Sequence, residues 1–392
     1  MPSNIKIATI VGARPQFIKA AAVSRAIAAR NGRVAALPSN ANLESGTLNV
    51  EHRTLNVPIT EVIIHTGQHY DEGMSAVFFR ELEIPEPVYN IGIGSGLHGK
   101  QTGDMLASIE KLLIAEKPDG VLVYGDTNST LAGTLAAAKL HIPVAHVEAG
   151  LRSFNRRMPE EINRVVTDHL STLLFCPSQV SVDNLTTEGI TNGVTIVGDV
   201  MADALQFTAE KVSTNSDILK RLDLQPKSYL MATVHRAENT DDPERLENIM
   251  GALADLAKRE PVILPLHPRT KKILQNTFPA LLNPNASLRI IDPVGYFDII
   301  ALGRSAHMIL TDSGGMQKEA YWLKVPCITL RDETEWVETV KAGWNILSGA
   351  DQKKIINAVH NFTAPTEHPS LYGDGHAAEK ITKIIGDRLE AR

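Results

Sequence analysis

Eleven short apolar runs, separated by longer amphipathic stretches, constrain this chain more than any other feature. They are IKIATIV, EVIIHTG, GVLVYGD, PVAHVE, LLFCPS and VTIVGD, then YLMATVH, PVILPLH, LRIID, HMILTD and PCITLRD. Nearly continuous apolar segments of strand length, alternating with helical patterns, belong to parallel sheets covered on both faces by helices. The expected class is therefore α/β. Most runs end in Gly, Asp, Ser or His, at the carboxyl ends of strands, where open α/β sheets bind ligands.

The 392 residues suffice for two domains of ordinary size, each with its own core. After VTIVGDVMADAL, the stretch KVSTNSDILKRLDLQPKS has no strand pattern, so the linker is placed near 200–226. This divides the chain into Rossmann-like domains 1–200 and 201–392 that face each other across a cleft, with the last helix crossing back to the first. Residues 31–60 read as a long irregular excursion. A formal net charge of -6 lacks the excess of cations that phosphate attraction demands, so neither nucleic acid nor a membrane surface is expected as a partner. Without a signal-like N-terminus or a run of roughly 18 apolar residues, the expected location is cytoplasmic. Cys176 and Cys327 each flank a proline at the end of an apolar run, without metal-ligand spacing, and read as buried thiols.

Five segments carry candidate chemistry. In GARPQFIK, Pro15 suits the first turn of a helix, so Arg14 and Lys19 lie near its positive end and predict an anion there. In YGDTNSTLAGTLAA, Asp126 stands at a strand end as either a helix cap or a functional carboxylate. In HVEAGLRSFNRRMPEEINR, Glu148 ends a buried strand, where an ionised carboxylate is costly unless paired or employed. After Pro159, helical spacing pairs Glu160 with Arg164 at i,i+4 and turns Glu161 elsewhere. Carboxylates near strand ends suit general acid/base work. In the second half, His235-Arg236 and His267 with Arg269 end two strands of one sheet. TDSGGMQKEA then places a strand, the turn Ser313-Gly314-Gly315 and a helix containing Glu319 in the order a phosphate cradle requires. With no GxGxxG, no P-loop and no acidic pair for a divalent metal, a diphosphate would be neutralised by Arg, Lys, His and helix termini. Neither a metal nor a cofactor is expected.

Taken in order, GARPQFIK, TGQHYDEGM, YGDTNSTLAGTLAA, HVEAGLRSF, MPEEINR, HRAENTD, LPLHPRT, TDSGGMQKEA and RDETEWVE resemble the non-hydrolysing UDP-N-acetylglucosamine 2-epimerase family, over nearly the whole chain. The resemblance implies a glycosyltransferase-B-like architecture, UDP held mainly by the second domain, a homodimer, and no metal or nicotinamide. It implies inversion at C2 of a UDP-sugar by anti elimination of UDP to a 2-acetamidoglucal, then re-addition. Asp126, Glu148 and Glu160 match the family's acid/base carboxylates; their division of labour stays open, and Asp126 could equally hold a sugar hydroxyl. Arg14, Lys19, Arg164 and His235 match groups that position the sugar and stabilise the leaving diphosphate, with His235 counted as catalytic. Ser313, Gly314 and Gly315 match the phosphate cradle, Glu319 the ribose acceptor and His267 a further UDP contact.

Two departures stand out. Gln68-His69 is followed by Tyr70 and Asp71, where better-studied bacterial members carry an arginine of an allosteric site, and Trp336-Val337 replace an Arg-Pro. The TGQHYD, RMPEEINR and TEWVE forms also occur in a branch acting on UDP-2,3-diacetamido-2,3-dideoxyglucuronate, and in archaeal-type enzymes acting on UDP-N-acetylglucosamine. Both substrates stay open. The rival activities are a hydrolysing epimerase, a glycosyltransferase on the same fold, and a silent nucleotide-sugar sensor. The joint presence of Asp126, Glu148, Glu160 and His235 counts against the sensor.

Overall fold

A computed structural model describes residues 4–35, 57–68, 83–266, 268–277 and 288–390. The chain divides into two compact units, Met1–Ala204 with Tyr372–Arg392, and Leu205–Leu371. The first holds strands β1 Ile5–Val11, β2 Ile59–His65, β3 Tyr89–Asn90, β4 Gly120–Tyr124, β5 Val144–Val147, β6 Leu173–Cys176 and β7 Val194–Ile196. Their spatial order is β3-β2-β1-β4-β5-β6-β7. β1 runs parallel to both neighbours, with Ile7 opposite Glu61 on one side and Gly120 on the other. Strand order therefore reverses between β1 and β4, which opens a crevice at their carboxyl ends. The helices Arg14–Ala35 and Asn128–Lys139 start there.

The second unit repeats the scheme with β8 Leu230–Thr233, β9 Val262–Pro265, β10 Leu288–Ile291, β11 Met308–Thr311, β12 Cys327–Thr329 and β13 Asn345–Leu347, ordered β10-β9-β8-β11-β12-β13. Its reversal falls between β8 and β11. Each sheet buries aliphatic side chains under its helices: Ile10, Ile64 and Val123 meet Met105, Ile109 and Leu113 in the first unit. In the second, Leu230, Leu264 and Leu310 meet Ile249, Leu253 and Ile355. The expected α/β class with parallel sheets is what the chain forms. β3 and β13 were not among the eleven runs. Both are edge strands, of two and three residues, and β13 begins with Asn345, a buried side chain whose Oδ1 accepts from the Thr329 hydroxyl at 2.8 Å. Too short for a period and led by a polar residue, neither reads as a strand.

The polar stretch near 200–226 contains the helices Val200–Asn215 and Ile218–Arg221. The helix Ala377–Glu390 packs in the first unit, burying Ile381 and Ile385. Asp203 holds its start, accepting from the amides of Ala377 (3.2 Å) and Ala378 (2.7 Å). Burial pushes the Asp203 carboxyl up from 3.8 to about 6, against those two hydrogen bonds. A folded state that binds this proton more tightly than the unfolded chain has its Asp203 contribution in full below about pH 4 and loses it as pH rises through about 6. Asp203→Asn keeps an acceptor and removes the titration. Melting curves should show the variant gaining on the parent between pH 4 and 7, by on the order of 2 kcal/mol; a difference that does not vary with pH would contradict this. Both cysteines are free and buried, and burial pushes each thiol up to about 12.

Candidate active site

In the first unit, β4 delivers Gly125 and Asp126, and β5 delivers Glu148. Gly125 has φ +62, and a Cβ there would lie 3.2 Å from Lys19 Nζ and 3.3 Å from Glu148 Oε2, so the position favours glycine on both counts. Glu148 itself has φ +73, a left-handed backbone that a side chain adopts at a cost on the order of 1 kcal/mol. Its buried carboxylate forms an ion pair with the buried ammonium of Lys19. The helix Arg14–Ala35 thus brings a cation from the β1 crevice to the end of β5. Arg14 opens that helix, but its side chain lies outside the described part of the structure.

Asp126 is not the helix cap. Thr127 takes that place, its hydroxyl accepting from the Thr130 amide. Asp126 instead accepts from Arg164 Nη2 at 2.6 Å and keeps 30% of its side chain exposed. The expected direction of Glu161 is also corrected. Rather than pointing elsewhere, Glu161 is 1% exposed and accepts from Arg164 Nη1 (2.7 Å), the Ser153 amide (3.0 Å) and hydroxyl (3.1 Å), and the Phe154 amide (3.0 Å). On the helix Pro159–Leu170 the i,i+3 neighbour is as close as the i,i+4 one, and the loop before the helix supplies Glu161 with three donors, from Ser153 and Phe154. Glu160 sits half-buried one residue earlier, in the first turn.

Behind these groups lies a second polar layer, buried except at Glu188. His146 Nδ1 is 2.7 Å from Asp168 Oδ1, and His146 Nε2 is 2.8 Å from the Gly125 carbonyl oxygen. Asp168 Oδ2 accepts from the Gly150 amide (3.1 Å) and Arg152 Nη1 (2.7 Å). Arg152 also donates twice to Glu188, at 2.7 and 2.8 Å. Burial raises the Asp168 carboxyl, but His146 and Arg152 outweigh it and hold it below its ordinary value. His146 opens the segment HVEAGLRSF, which also holds Arg152, but no spacing ties either to Asp168.

In the second unit, Asp312 follows β11 and is fully buried. Its carboxylate accepts from the amides of His235 (3.1 Å) and Arg236 (3.0 Å) and from Asn239 Nδ2 (3.2 Å), while His235 Nδ1 lies 3.4 Å away. The chain leaving β8 is thereby tied to the end of β11, and the His235 side chain stays 43% exposed. Sequence reasoning singled out His235 and missed Asp312. Ser313 caps the helix Gly314–Trp322, accepting from the Met316 amide at 3.4 Å. A Cβ on Gly314 would come within 3.3 Å of Trp336 Nε1 and 3.8 Å of Arg236 Nη2, so glycine relieves crowding at this helix start. Glu319 is buried and accepts from the Tyr296 hydroxyl at 3.0 Å. Trp336 lies under the buried Lys318, with Nζ 3.7 Å from the ring centre. His267 lies outside the described residues, as do His69, Tyr70 and Asp71. Among the described residues no group of His, Cys, Asp or Glu is arranged to hold a metal, and no helix is long and apolar enough to cross a membrane.

Two Rossmann-type units, one with ion-paired carboxylates at strand ends and one with a glycine-opened helix start beside a histidine, define an α/β enzyme of the glycosyltransferase-B type. The family model described as UDP-N-acetylglucosamine 2-epimerase matches residues 53–386. A UDP-N-acetylglucosamine 2-epimerase homolog of Methanococcus maripaludis is 51% identical, over 97% of this chain and 99% of its own. The UDP-2,3-diacetamido-2,3-dideoxy-D-glucuronate 2-epimerase of Pseudomonas aeruginosa is 46% identical over the same shares. The crystal structure of Methanocaldococcus jannaschii UDP-GlcNAc 2-epimerase in complex with UDP-GlcNAc and UDP matches with a TM-score of 0.85 at 44% identity, covering 97% of this chain and 99% of that one. The chain belongs to the UDP-N-acetylglucosamine 2-epimerase family.

Proposed function

We propose that this protein is a non-hydrolysing epimerase that inverts C2 of a UDP-2-acetamido sugar, most simply converting UDP-N-acetylglucosamine to UDP-N-acetylmannosamine. The observation that carries this reading is Glu148, a carboxylate held on a left-handed backbone and paired with Lys19 beside Asp126 and Arg164. The C2 hydrogen is not acidic, so departure of UDP must lead. C1 then gains cationic character while the diphosphate gains charge, and the reaction needs cations at one end and bases at the other. As the C1–O bond breaks toward UDP, the C2–H bond breaks toward a carboxylate and its electron pair forms the C1=C2 bond of the 2-acetamidoglucal. Re-addition of UDP with protonation from the opposite face completes the inversion.

In this reading the amides at Ser313–Gly315, with His235 and Arg14, take the developing charge of UDP, and His267 contacts it further. Glu319 takes the ribose. Glu148, Asp126 and Glu160 exchange the C2 proton on the two faces, and Lys19 and Arg164 hold two of those carboxylates in place. In this reading the enzyme is cytoplasmic, and it acts as a homodimer, as the family resemblance implies. The bound UDP-GlcNAc in the Methanocaldococcus jannaschii relative supports the acetylglucosamine substrate. The 46% identity to the Pseudomonas aeruginosa enzyme supports the diacetamido uronate as a second reading.

Incubation with each sugar nucleotide in deuterated water, followed by NMR at C2, tests both. Deuterium should enter C2 of one of them, with the epimer formed and free UDP remaining far below the product. UDP released in step with turnover would identify a hydrolysing enzyme, and absence of label from both sugars would overturn the proposal.

A further inference from the structure

His146 is completely buried, yet each ring nitrogen faces an oxygen that can only accept. The Gly125 carbonyl stands 2.8 Å from Nε2, and the Asp168 carboxylate 2.7 Å from Nδ1. A neutral imidazole has one N–H and would point a lone pair at one of these oxygens; only the protonated ring donates to both. The alternative, a proton on Asp168 Oδ1, is opposed by charge, since the second oxygen of the same group accepts from the Arg152 guanidinium, which favours the carboxylate. The charges agree. Arg152 is shared between the fully buried Asp168 and the partly exposed Glu188, so a protonated ring sets a second cation against the buried Asp168 carboxylate. Cys176, the other titratable group coupled to Asp168, stays a thiol because burial pushes it up.

The layer touches the backbone beside each group assigned above to the reaction. His146 grips Gly125, one residue before Asp126, at the φ +62 turn packed against Lys19 and Glu148. Asp168 grips Gly150, two residues after Glu148, from the helix that also carries Arg164. We propose that His146, as a cation donating to both Gly125 and Asp168, is the positioning residue that sets Asp126 and Glu148 in register for exchange of the C2 proton. This rests on the epimerase reading for what the register serves, and on geometry alone for the cation.

Two measurements on the full-length protein test it. With ¹⁵N-histidine labelling at neutral pH, the His146 ring should show two protonated nitrogens; a single protonated nitrogen would overturn the proposal whatever the enzyme acts on. In kinetics, His146→Leu should lower kcat about 100-fold, the loss expected for groups misplaced by about 1 Å, with KM and the Kd for UDP within about twofold. His146→Gln combined with Asp168→Asn replaces the charged chain by amides that can still reach Gly125, and should recover at least about tenfold of that kcat. Folded variants with kcat within about threefold of the parent, or no recovery in the double variant, would refute a positioning role. If the parent turns over neither sugar nucleotide while the ring signals show the cation, the epimerase reading fails and the buried clamp stands.

Discussion

Glu148→Gln is expected to lower turnover by about 10³-fold or more while changing the Kd for UDP by less than about twofold. The substitution is nearly isosteric and keeps a side chain on the left-handed backbone at residue 148, but it removes the base and leaves the buried Lys19 ammonium facing an amide. Chemistry suffers, whereas the groups assigned to UDP other than Arg14 lie in the other unit. The informative measurement is therefore a pair: steady-state epimerisation and calorimetric titration with UDP. Equal losses in both would make Glu148 a structural residue.

Asp312→Ala should have the largest effect on the second unit. The buried carboxylate accepts from the His235 and Arg236 amides and from Asn239, and its removal strands these donors in the interior. The cost is on the order of 3 kcal/mol in stability. It also frees the loop that presents His235, so the Kd for UDP should rise at least tenfold. Thermal unfolding followed by titration of the folded variant checks both parts. Unchanged UDP affinity would show that the loop is held by other means and would remove Asp312 from the binding machinery.

How far the sequence reveals this protein can be seen residue by residue. Apolar runs are set by burial on both faces of a parallel sheet, so the central strands are plain. Edge strands β3 and β13 are short and partly exposed and carry no such mark. Charged residues at strand ends are conspicuous, and the structure brings Lys19 to Glu148 and Arg164 to Asp126. Which partner each takes is less visible. Thr127 rather than Asp126 caps the helix, because either side chain can accept the same amide, and Glu161 supports Arg164 because the loop at Ser153 and Phe154 folds over it. The anchors are the least visible. Asp312 works through amides 76 and 77 residues earlier in the chain, and His146 through a carbonyl on the neighbouring strand. Such contacts depend on tertiary placement, which no local spacing encodes.

The helix Ala377–Glu390 supplies a wall of the first unit. Ile381 and Ile385 are buried there, and Leu389 packs so closely on Gly120 that a Cβ at that glycine would sit 2.9 Å from it. During synthesis, residues 205–371 are complete before this helix exists. The half of the protein whose synthesis begins first is therefore completed last, its sheet lacking one flank until the final helix has been made.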